Sequence, residues 1–355
     1  MRANLFLLAV ALAFSFVVAV AGLRIAAPEL GRPDTRLLFT SDPPLRDEIG
    51  AIRYPPHRSV RSVLLYGDEI ELDVSFRTND LGLVDHRDYL PAVPAQPSYA
   101  FVGDSYAAGV EGGRPWLPEL RDRLGIQAYA LGMGATGVLG FERMLESMSR
   151  LLEFSDVVFV AISDDFFRPL WRPRVRDDGL WVCVDAESDA DCAGGLPIAR
   201  LMTRNASADE LFAQAREIHA ERARARGIAR SLLRSSRVLV VARDLLAAQL
   251  RGARGDTVAE ESFAALERVR AAHPDARIRF VHVPDKYETQ RGAYDLDLAA
   301  RLADTGIEYL PVLGACPWSP QRYLARDNHP DAAGYQALAE CVARILDLTP
   351  ARATR

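Results

Sequence analysis

The stretch Gly103-Asp104-Ser105 contains residue types that could carry out chemistry. A serine hydroxyl becomes a nucleophile when a neighbouring base takes its proton, an acid orients that base, and hydrogen-bond donors stabilise the oxyanion. The serine follows a short apolar run, residues 99–102, which is typical of a buried strand. The simpler alternative is that Asp104 or Ser105 only caps the helix that follows.

The base has six histidine candidates, and the sequence singles out His329. The others fall in a proline-rich segment, a β appendage, two helices and a strand: His57, His86, His219, His273 and His282. His329 instead lies in Asp327-Asn328-His329-Pro330, directly before an amphipathic helix. Asp327, two residues upstream, could reach the imidazole and fix its tautomer. The alternative is that Asp327 or Asp331 caps the helix and that His329 is a surface residue.

A doubly wound α/β domain would position both segments. Five apolar segments have the length of buried strands: 99–102, 127–131, 157–162, 278–283 and 307–310. Segments 116–124 and 140–154 between the first three have helical periodicity, so the pattern predicts a flavodoxin-like parallel sheet covered by helices on both faces. Ligands of such sheets bind beyond the carboxyl ends of the strands, and Ser105 would lie at that edge.

Three further regions complete the predicted organisation. Residues 24–60 are rich in proline, arginine and aspartate, which suits a linker. Residues 61–98 are expected to form a small β appendage, because two alternating runs flank a hairpin turn. Within a main domain spanning 99–348, the segment 165–272 is longer than an ordinary crossover and is interpreted as an irregular, helical insertion. A pair of crossover helices with a long surface loop is the alternative.

The amino-terminal segment indicates export. Residues 3–23 carry no charge and are long enough to cross a bilayer, so that 1–23 is a membrane anchor or, given Ala19-Val20-Ala21, a cleavable signal peptide. The remainder is then expected in the cell envelope or periplasm, either anchored or secreted. A net charge of -5 over 355 residues offers no basic field for nucleic acid.

Export also gives the four cysteines a structural interpretation. Cys183 and Cys192 bracket one acidic loop, and we expect a disulfide between them. Cys316 and Cys341 could form a second disulfide or remain buried as free thiols. The sequence has no spacing of cysteine and histidine that resembles a zinc site.

In their order along the chain, these segments resemble the GDSL-type or SGNH hydrolase superfamily, in particular its exported members. The matching blocks are the lead-in Thr78-Asn79-Asp80-Leu81-Gly82-Leu83, the nucleophile block Gly103-Asp104-Ser105, and the acid/base block Asp327-Asn328-His329-Pro330. Residues 157–166 and 283–287 are similar to two further blocks. The resemblance extends from about residue 60 to residue 348.

The resemblance implies an exported serine esterase or acyl-transfer enzyme that needs no metal or cofactor. Ser105 would be the nucleophile, His329 the general base and then acid, and Asp327 the residue that orients it. The oxyanion hole would use the backbone N–H of Ser105 and that of Gly134 or Ala135. An acylated carbohydrate of the cell envelope is the substrate class expected by resemblance alone.

Asp164 departs from the family pattern, in which an asparagine supplies a third oxyanion donor. An ionised carboxylate there would repel the oxyanion, and the loss of one donor already costs about 2.7–4 kcal/mol. Either Asp164 is protonated and donates, or Ser163 or another group replaces it, or the site is weak or inactive. In the last case the chain would be a catalytically silent binding or assembly module of the cell envelope.

Overall fold

The computed structural model describes residues 35–91, 98–177, 179–184, 195–225 and 256–349, together with Ser15 and Val18. Its contacts divide the chain into two units. Residues 1–36 and 206–255 form the first unit, whose described part is mainly the helix Ala208–Ala225. Residues 37–205 and 256–355 form the second unit, and Ser105, Asp327 and His329 all belong to it.

The strands are β1 (Arg36–Thr40), β2 (Leu45–Arg46), β3 (Ile52–Arg53), β4 (Ser59–Tyr66), β5 (Glu69–Arg77), β6 (Ser98–Gly103), β7 (Gln127–Gly132), β8 (Asp156–Ala161), β9 (Trp171–Arg176), β10 (Gly179–Val184), β11 (Leu196–Leu201), β12 (Arg277–His282) and β13 (Glu308–Pro311). The helices are α1 (Ser105–Ala108), α2 (Trp116–Leu124), α3 (Val138–Met148), α4 (Ala208–Ala225), α5 (256–272), α6 (Lys286–Arg291), α7 (Leu298–Leu302) and α8 (Ala332–Ile345).

A five-stranded parallel sheet forms the centre of the second unit, with the strand order β13-β12-β8-β6-β7. The chain enters at β6, pairs β7 on one side and then crosses to β8 on the other, which is the flavodoxin-like order predicted from the sequence. Residues 157–161 of β8 are fully buried, because helices pack against both faces of the sheet. One face packs Phe141, Phe159 and Phe280, and the other packs Trp116, Leu338 and Val342.

The strands that follow β6 lie on opposite sides of it, with β7 on one side and β8 on the other. Gly103 ends β6 at this point in the sheet. A Cβ atom at Gly103 would lie 2.1 Å from the carbonyl oxygen of Val160 and 2.7 Å from the Cβ of Ala107. Only glycine therefore allows the strand end, its neighbour and the following helix to approach this closely. This close approach places Asp104 and Ser105 at the carboxyl edge of the sheet.

A second sheet has the order β5-β4-β1-β11-β10-β9 and differs from expectation in two respects. Residues 36–53, within the segment expected to be a linker, contain β1, β2 and β3. Residues 171–201, within the expected insertion, form β9, β10 and β11, and β11 pairs in parallel with β1. In both segments the alternation of side chains is partly hidden because arginines occupy strand positions, and in the second segment Pro173 and Pro197 do so as well.

A buried ion pair ties the segment between the two sheets to the five-stranded sheet. Arg121 on α2 donates to both carboxylate oxygens of Asp85, at 2.5 and 3.2 Å. The Tyr89 hydroxyl donates to Asp85 at 2.6 Å and accepts from the backbone N–H of Ala130 at 2.7 Å. Because β7 is an edge strand, this contact satisfies a donor that has no strand partner.

The predicted cysteine pairing is partly visible. Cys316 and Cys341 form a disulfide, which decides between the two alternatives open from the sequence. Cys183 is disulfide-bonded, whereas Cys192 lies outside the described residues. The predicted membrane segment 3–23 also lies outside them, apart from Ser15 and Val18. In the part of the chain that the structure describes, no helix combines the length and apolar character needed to cross a bilayer.

Substitution of Arg121 by Met should lower the free energy of unfolding by about 3–5 kcal/mol, because it leaves the buried Asp85 carboxylate without its cation. Both side chains of the pair are almost fully buried, with exposures of 2% and 0%. Denaturant titration measures the loss. The matched control is Arg277→Met, which breaks an exposed pair with Glu308 and should cost less than about 1 kcal/mol. Equal losses for the two variants would contradict the expectation.

Candidate active site

Ser105 is the first residue of α1, immediately after the carboxyl end of β6. Asp104 caps this helix, since its carboxylate accepts from the backbone N–H of Tyr106 at 2.8 Å. The alternative drawn from the sequence, a capping role, is therefore realised by Asp104. The Ser105 side chain is free for another contact and is buried, with 6% of its surface exposed.

The structure brings Ser105, His329 and Asp327 together in one line of hydrogen bonds. The Ser105 Oγ lies 2.7 Å from the Nε2 of His329. The Nδ1 of the same ring contacts an oxygen of Asp327, which also accepts from the backbone N–H of His329 at 3.1 Å. In this geometry the serine can lose its proton to His329, while the carboxylate sets the ring's orientation and tautomer.

Nearby carboxylates favour the protonated form of His329. Burial lowers the pKa of His329, but the charge of Glu111 and the hydrogen bond that the ring donates to Asp327 outweigh this effect, so that the pKa lies above its ordinary value. The Oε1 of Glu111 is 3.9 Å from the Nε2 of His329. The ring is therefore well suited to carry a proton taken from Ser105.

The hairpin formed by β4 and β5 holds the loop that carries Asp327. We call residues 66–71 the hairpin tip. The Tyr66 hydroxyl donates to the second oxygen of Asp327 at 3.0 Å. The neighbouring Arg326 donates its backbone N–H to Glu71 at 2.9 Å and pairs with Glu69 through its guanidinium. The second sheet, to which this hairpin belongs, thus contributes directly to the position of the candidate acid.

Tyr106 connects the serine's own helix to the same loop. Its hydroxyl donates to the carbonyl oxygen of Asn328 at 2.5 Å, and its ring lies 5.5 Å from the ring of His329. The indole N–H of Trp116 donates to the backbone carbonyl of Tyr106 at 2.9 Å and so fixes the backbone of Tyr106. The distance between nucleophile and base is consequently set by a rigid aromatic side chain as well as by the sheet.

Arg168 gathers the carboxylates on the other side of Ser105. Its Nη1 lies 3.0 Å from Asp104 and 2.7 Å from Asp165, and its Nε donates to Asp164 at 2.9 Å. Asp104 also accepts from the Ser105 hydroxyl at 3.3 Å. One guanidinium therefore contacts three acidic side chains beside the candidate nucleophile.

The residues expected around the oxyanion occupy different environments. Gly134 adjoins Ser105, since a Cβ atom built on it would lie 3.8 Å from the Cβ of Ser105. Ala135 follows with a positive φ of 61°, which turns the backbone here. The Asp164 side chain is 64% exposed and paired with Arg168, so it does not lie in a buried pocket.

Ser163 is occupied elsewhere. Its hydroxyl donates to Glu288 at 2.5 Å and lies 3.0 Å from the Nε2 of His282. Burial lowers the pKa of His282 to about 3 and raises the pKa of Glu288. This second serine and histidine pair is enclosed in the core, where the contacts of Ser163 have a structural role and leave no hydroxyl proton for an oxyanion.

Sequence reasoning did not identify Tyr66, Tyr106, Arg168, Glu111 or Arg326 as parts of this site. Tyr106 and Glu111 follow Ser105 closely in the chain, and this proximity was the available signal. Tyr66 and Arg326 meet only through the docking of the hairpin tip. Within the described residues, no group of three or more His, Cys, Asp or Glu side chains could hold a metal ion.

A search with models of protein families finds no match, and a search of curated proteins finds none either.

Solved structures that resemble the chain include a protein from Lactobacillus plantarum, with 12% identity, a TM-score of 0.36 and coverage of 72% of this chain and 98% of that one. Another, from Desulfitobacterium hafniense, is described as a lipolytic protein of the G-D-S-L family, with 10% identity, a TM-score of 0.35 and coverage of 70% and 99%. A third is a carbohydrate esterase family 2 enzyme with a carbohydrate-binding domain from Corynascus thermopiles, with 12% identity, a TM-score of 0.33 and coverage of 88% and 87%. Each similarity is distant, so the chemistry of this chain has to be judged from its own side chains.

Replacing Tyr66 by Phe should slow the reaction of Ser105 with a fluorophosphonate by about tenfold, because Asp327 loses a hydrogen bond to a charged group. The labelling rate, followed by mass spectrometry of the intact protein, measures the effect. Tyr287→Phe is the matched control, since Tyr287 is an exposed tyrosine elsewhere in the same unit. Unchanged labelling of the Tyr66 variant would show that the hairpin tip does not position the acid.

Replacing Asp164 by Asn should change the same labelling rate by no more than about twofold, because an exposed ion pair contributes little energy. Asp164 is mostly exposed and its partner Arg168 retains Asp104 and Asp165. A large increase in rate at neutral pH would instead place the Asp164 carboxylate beside the developing oxyanion.

Proposed function

We propose that this chain is a serine esterase or acyl-transfer enzyme. The observation that carries the proposal is the 2.7 Å contact between the Ser105 Oγ and the His329 Nε2, with Asp327 on the opposite nitrogen of the ring. A serine, a histidine and a carboxylate in this sequence of contacts form the arrangement that activates a hydroxyl for acyl transfer.

In the proposed reaction, the Ser105 Oγ attacks the carbonyl carbon of an ester while its proton passes to the Nε2 of His329. The tetrahedral intermediate collapses when the bond to the alcohol oxygen breaks, and His329 gives its proton to that oxygen. The acyl-enzyme is then attacked by water or by a second hydroxyl, which again loses its proton to His329. Water yields a carboxylic acid, and an alcohol yields a new ester.

The backbone is the proposed source of oxyanion stabilisation. The N–H of Ser105 lies at the first position of α1, where helix donors have no partner within the helix. The N–H of Gly134 or Ala135 is the second proposed donor, supported by the closeness of Gly134 to Ser105. Neither donor depends on Asp164, so the missing asparagine leaves two of the three expected donors in place.

An exported chain acting on an acylated carbohydrate is the proposed setting. The disulfide between Cys316 and Cys341 supports an oxidising compartment. A groove of about 470 Å³ between α2 and α8 is bordered by Gly112 and Tyr335; Ser105, Asp327 and His329 are not among its lining residues, so it would hold a part of the substrate away from the reacting ester. Arg114, Arg123 and Gln336 line it, and such donors suit the hydroxyl groups of a sugar.

Wild-type protein should react with a fluorophosphonate at Ser105 and hydrolyse an aryl acetate, and Ser105→Ala should reduce hydrolysis by at least about a thousandfold. Peptide mapping of the labelled protein locates the modified serine. Ser163 provides an internal control, because it also has a histidine neighbour but is enclosed in the core.

Ser149→Ala, a change at the end of α3, serves as the control for handling of the variants and should hydrolyse the ester at the wild-type rate. A folded wild-type protein that neither labels at Ser105 nor hydrolyses the ester would overturn the proposal. That result would favour the alternative function, a silent module of the cell envelope.

A further inference from the structure

Glu111 is a carboxylate beside the candidate base that the steps above do not use. It lies in the short 3₁₀ turn Val110–Gly112, directly after α1. Its Oε1 is 3.9 Å from the Nε2 of His329, and its Oε2 accepts a hydrogen bond from the Tyr335 hydroxyl at 3.3 Å. The same hydroxyl lies 3.3 Å from the carbonyl oxygen of Ser105. Glu111 is therefore held at the serine side of the ring.

The environment of Glu111 is unfavourable for a charge. Its side chain is only 16% exposed, and burial raises its pKa. Because the folded state binds this proton more tightly than the unfolded state, the stability contributed by Glu111 falls as pH rises through its raised pKa. At neutral pH the carboxylate consequently destabilises the fold. A group that costs stability at this position is a candidate for a role in the site.

In the described part of the chain, several charged and titratable groups face His329, and Glu111 is the carboxylate that forms an ion-pair contact with its Nε2. Asp327, from the loop, holds Nδ1, and Asp104, from the start of α1, is paired with Arg168. Tyr106 and Tyr335, from α1 and α8, have pKa values raised well above the ordinary value by burial, so they remain neutral. Glu111 is left as the group that can respond to a proton on Nε2.

We propose that Glu111 is a positioning residue for His329, a second carboxylate that stabilises the imidazolium formed when His329 takes the Ser105 proton. The role in turnover rests on the proposed function. Asp327 fixes the ring at one nitrogen, and Glu111 attracts the charge that develops at the other. The two carboxylates together make His329 a stronger base than Asp327 alone would.

NMR titration of His329 in the full chain tests the inference without any substrate. Wild-type His329 should titrate above the ordinary histidine value of about 6.5. Glu111→Gln should lower that pKa by about one unit, since it removes an opposite charge within about 4–6 Å. In the pH profile of ester hydrolysis, the acid limb of the variant should move to lower pH by the same amount, and the rate on the alkaline plateau, where His329 is neutral in both proteins, should fall by up to about tenfold.

Glu340→Gln is the matched control, because Glu340 is an exposed glutamate on α8 and its loss is the same change in charge. It should leave the titration of His329 unchanged. Thermal unfolding separates a positioning role from a structural one, since Glu111→Gln should not lower the Tm at neutral pH, whereas loss of a structural contact would.

A wild-type His329 that titrates at or below about 6.5, or a folded Glu111→Gln protein with an unshifted pKa, would overturn the inference. The wild-type measurement needs no variant, so it holds even if the substituted protein does not fold. A shifted pKa in a protein that hydrolyses no ester would instead keep the electrostatic role of Glu111 and reject the proposed function.

Discussion

The hydrogen bond between Ser105 and His329 joins residues that are 224 positions apart in the chain. Ser105 is fixed by the central sheet, but His329 lies in an irregular loop that has no regular secondary structure to hold it. Four sets of contacts supply the missing rigidity. The hairpin tip, Tyr106 on α1 and Lys286 on α6 each hydrogen-bond to the loop, and within the loop the backbone N–H of Leu324 donates to the carbonyl oxygen of His329. Lys286, the chain's single lysine, donates to the carbonyls of Leu324 and Ala325 at 2.7 and 2.8 Å. A loop fixed by these hydrogen bonds can maintain the contact between Ser105 and His329, which tolerates little displacement.

Charge is distributed unevenly across the site. On one side, Arg168 is surrounded by Asp104, Asp164 and Asp165. On the other, His329 lies between Asp327 and Glu111. The carboxylates of the first side always have a cation among them, whereas those of the second gain the imidazolium only when His329 is protonated. The electrostatics thus favour the protonated ring, which is the state that the proposed acyl transfer requires.

The sequence was sufficient to predict the central sheet, because its strands are apolar runs of the right length separated by helices with clear periodicity. It was also sufficient to single out Ser105, which follows a predicted strand, and Asp327 and His329, which lie directly before the last amphipathic helix. Side-chain direction was not predictable. Ser163 and Asp164 are neighbours in one 3₁₀ turn, yet Ser163 is buried and Asp164 is exposed. The sequence also could not locate β9 to β11, since the arginines that alternate along β9 mask the apolar pattern of a strand.

The second sheet changes how the chain can be divided. Its strands come from both sides of the nucleophile, with β1 from before β6 paired to β11 from after β8. The hairpin of the same sheet contacts the loop of Asp327. A fragment that starts at the nucleophile strand would retain the whole parallel sheet and all three candidate catalytic side chains, yet would lose the support of the acid. The smallest part of the chain that keeps these contacts is therefore larger than the flavodoxin-like domain, because it includes strands of the second sheet.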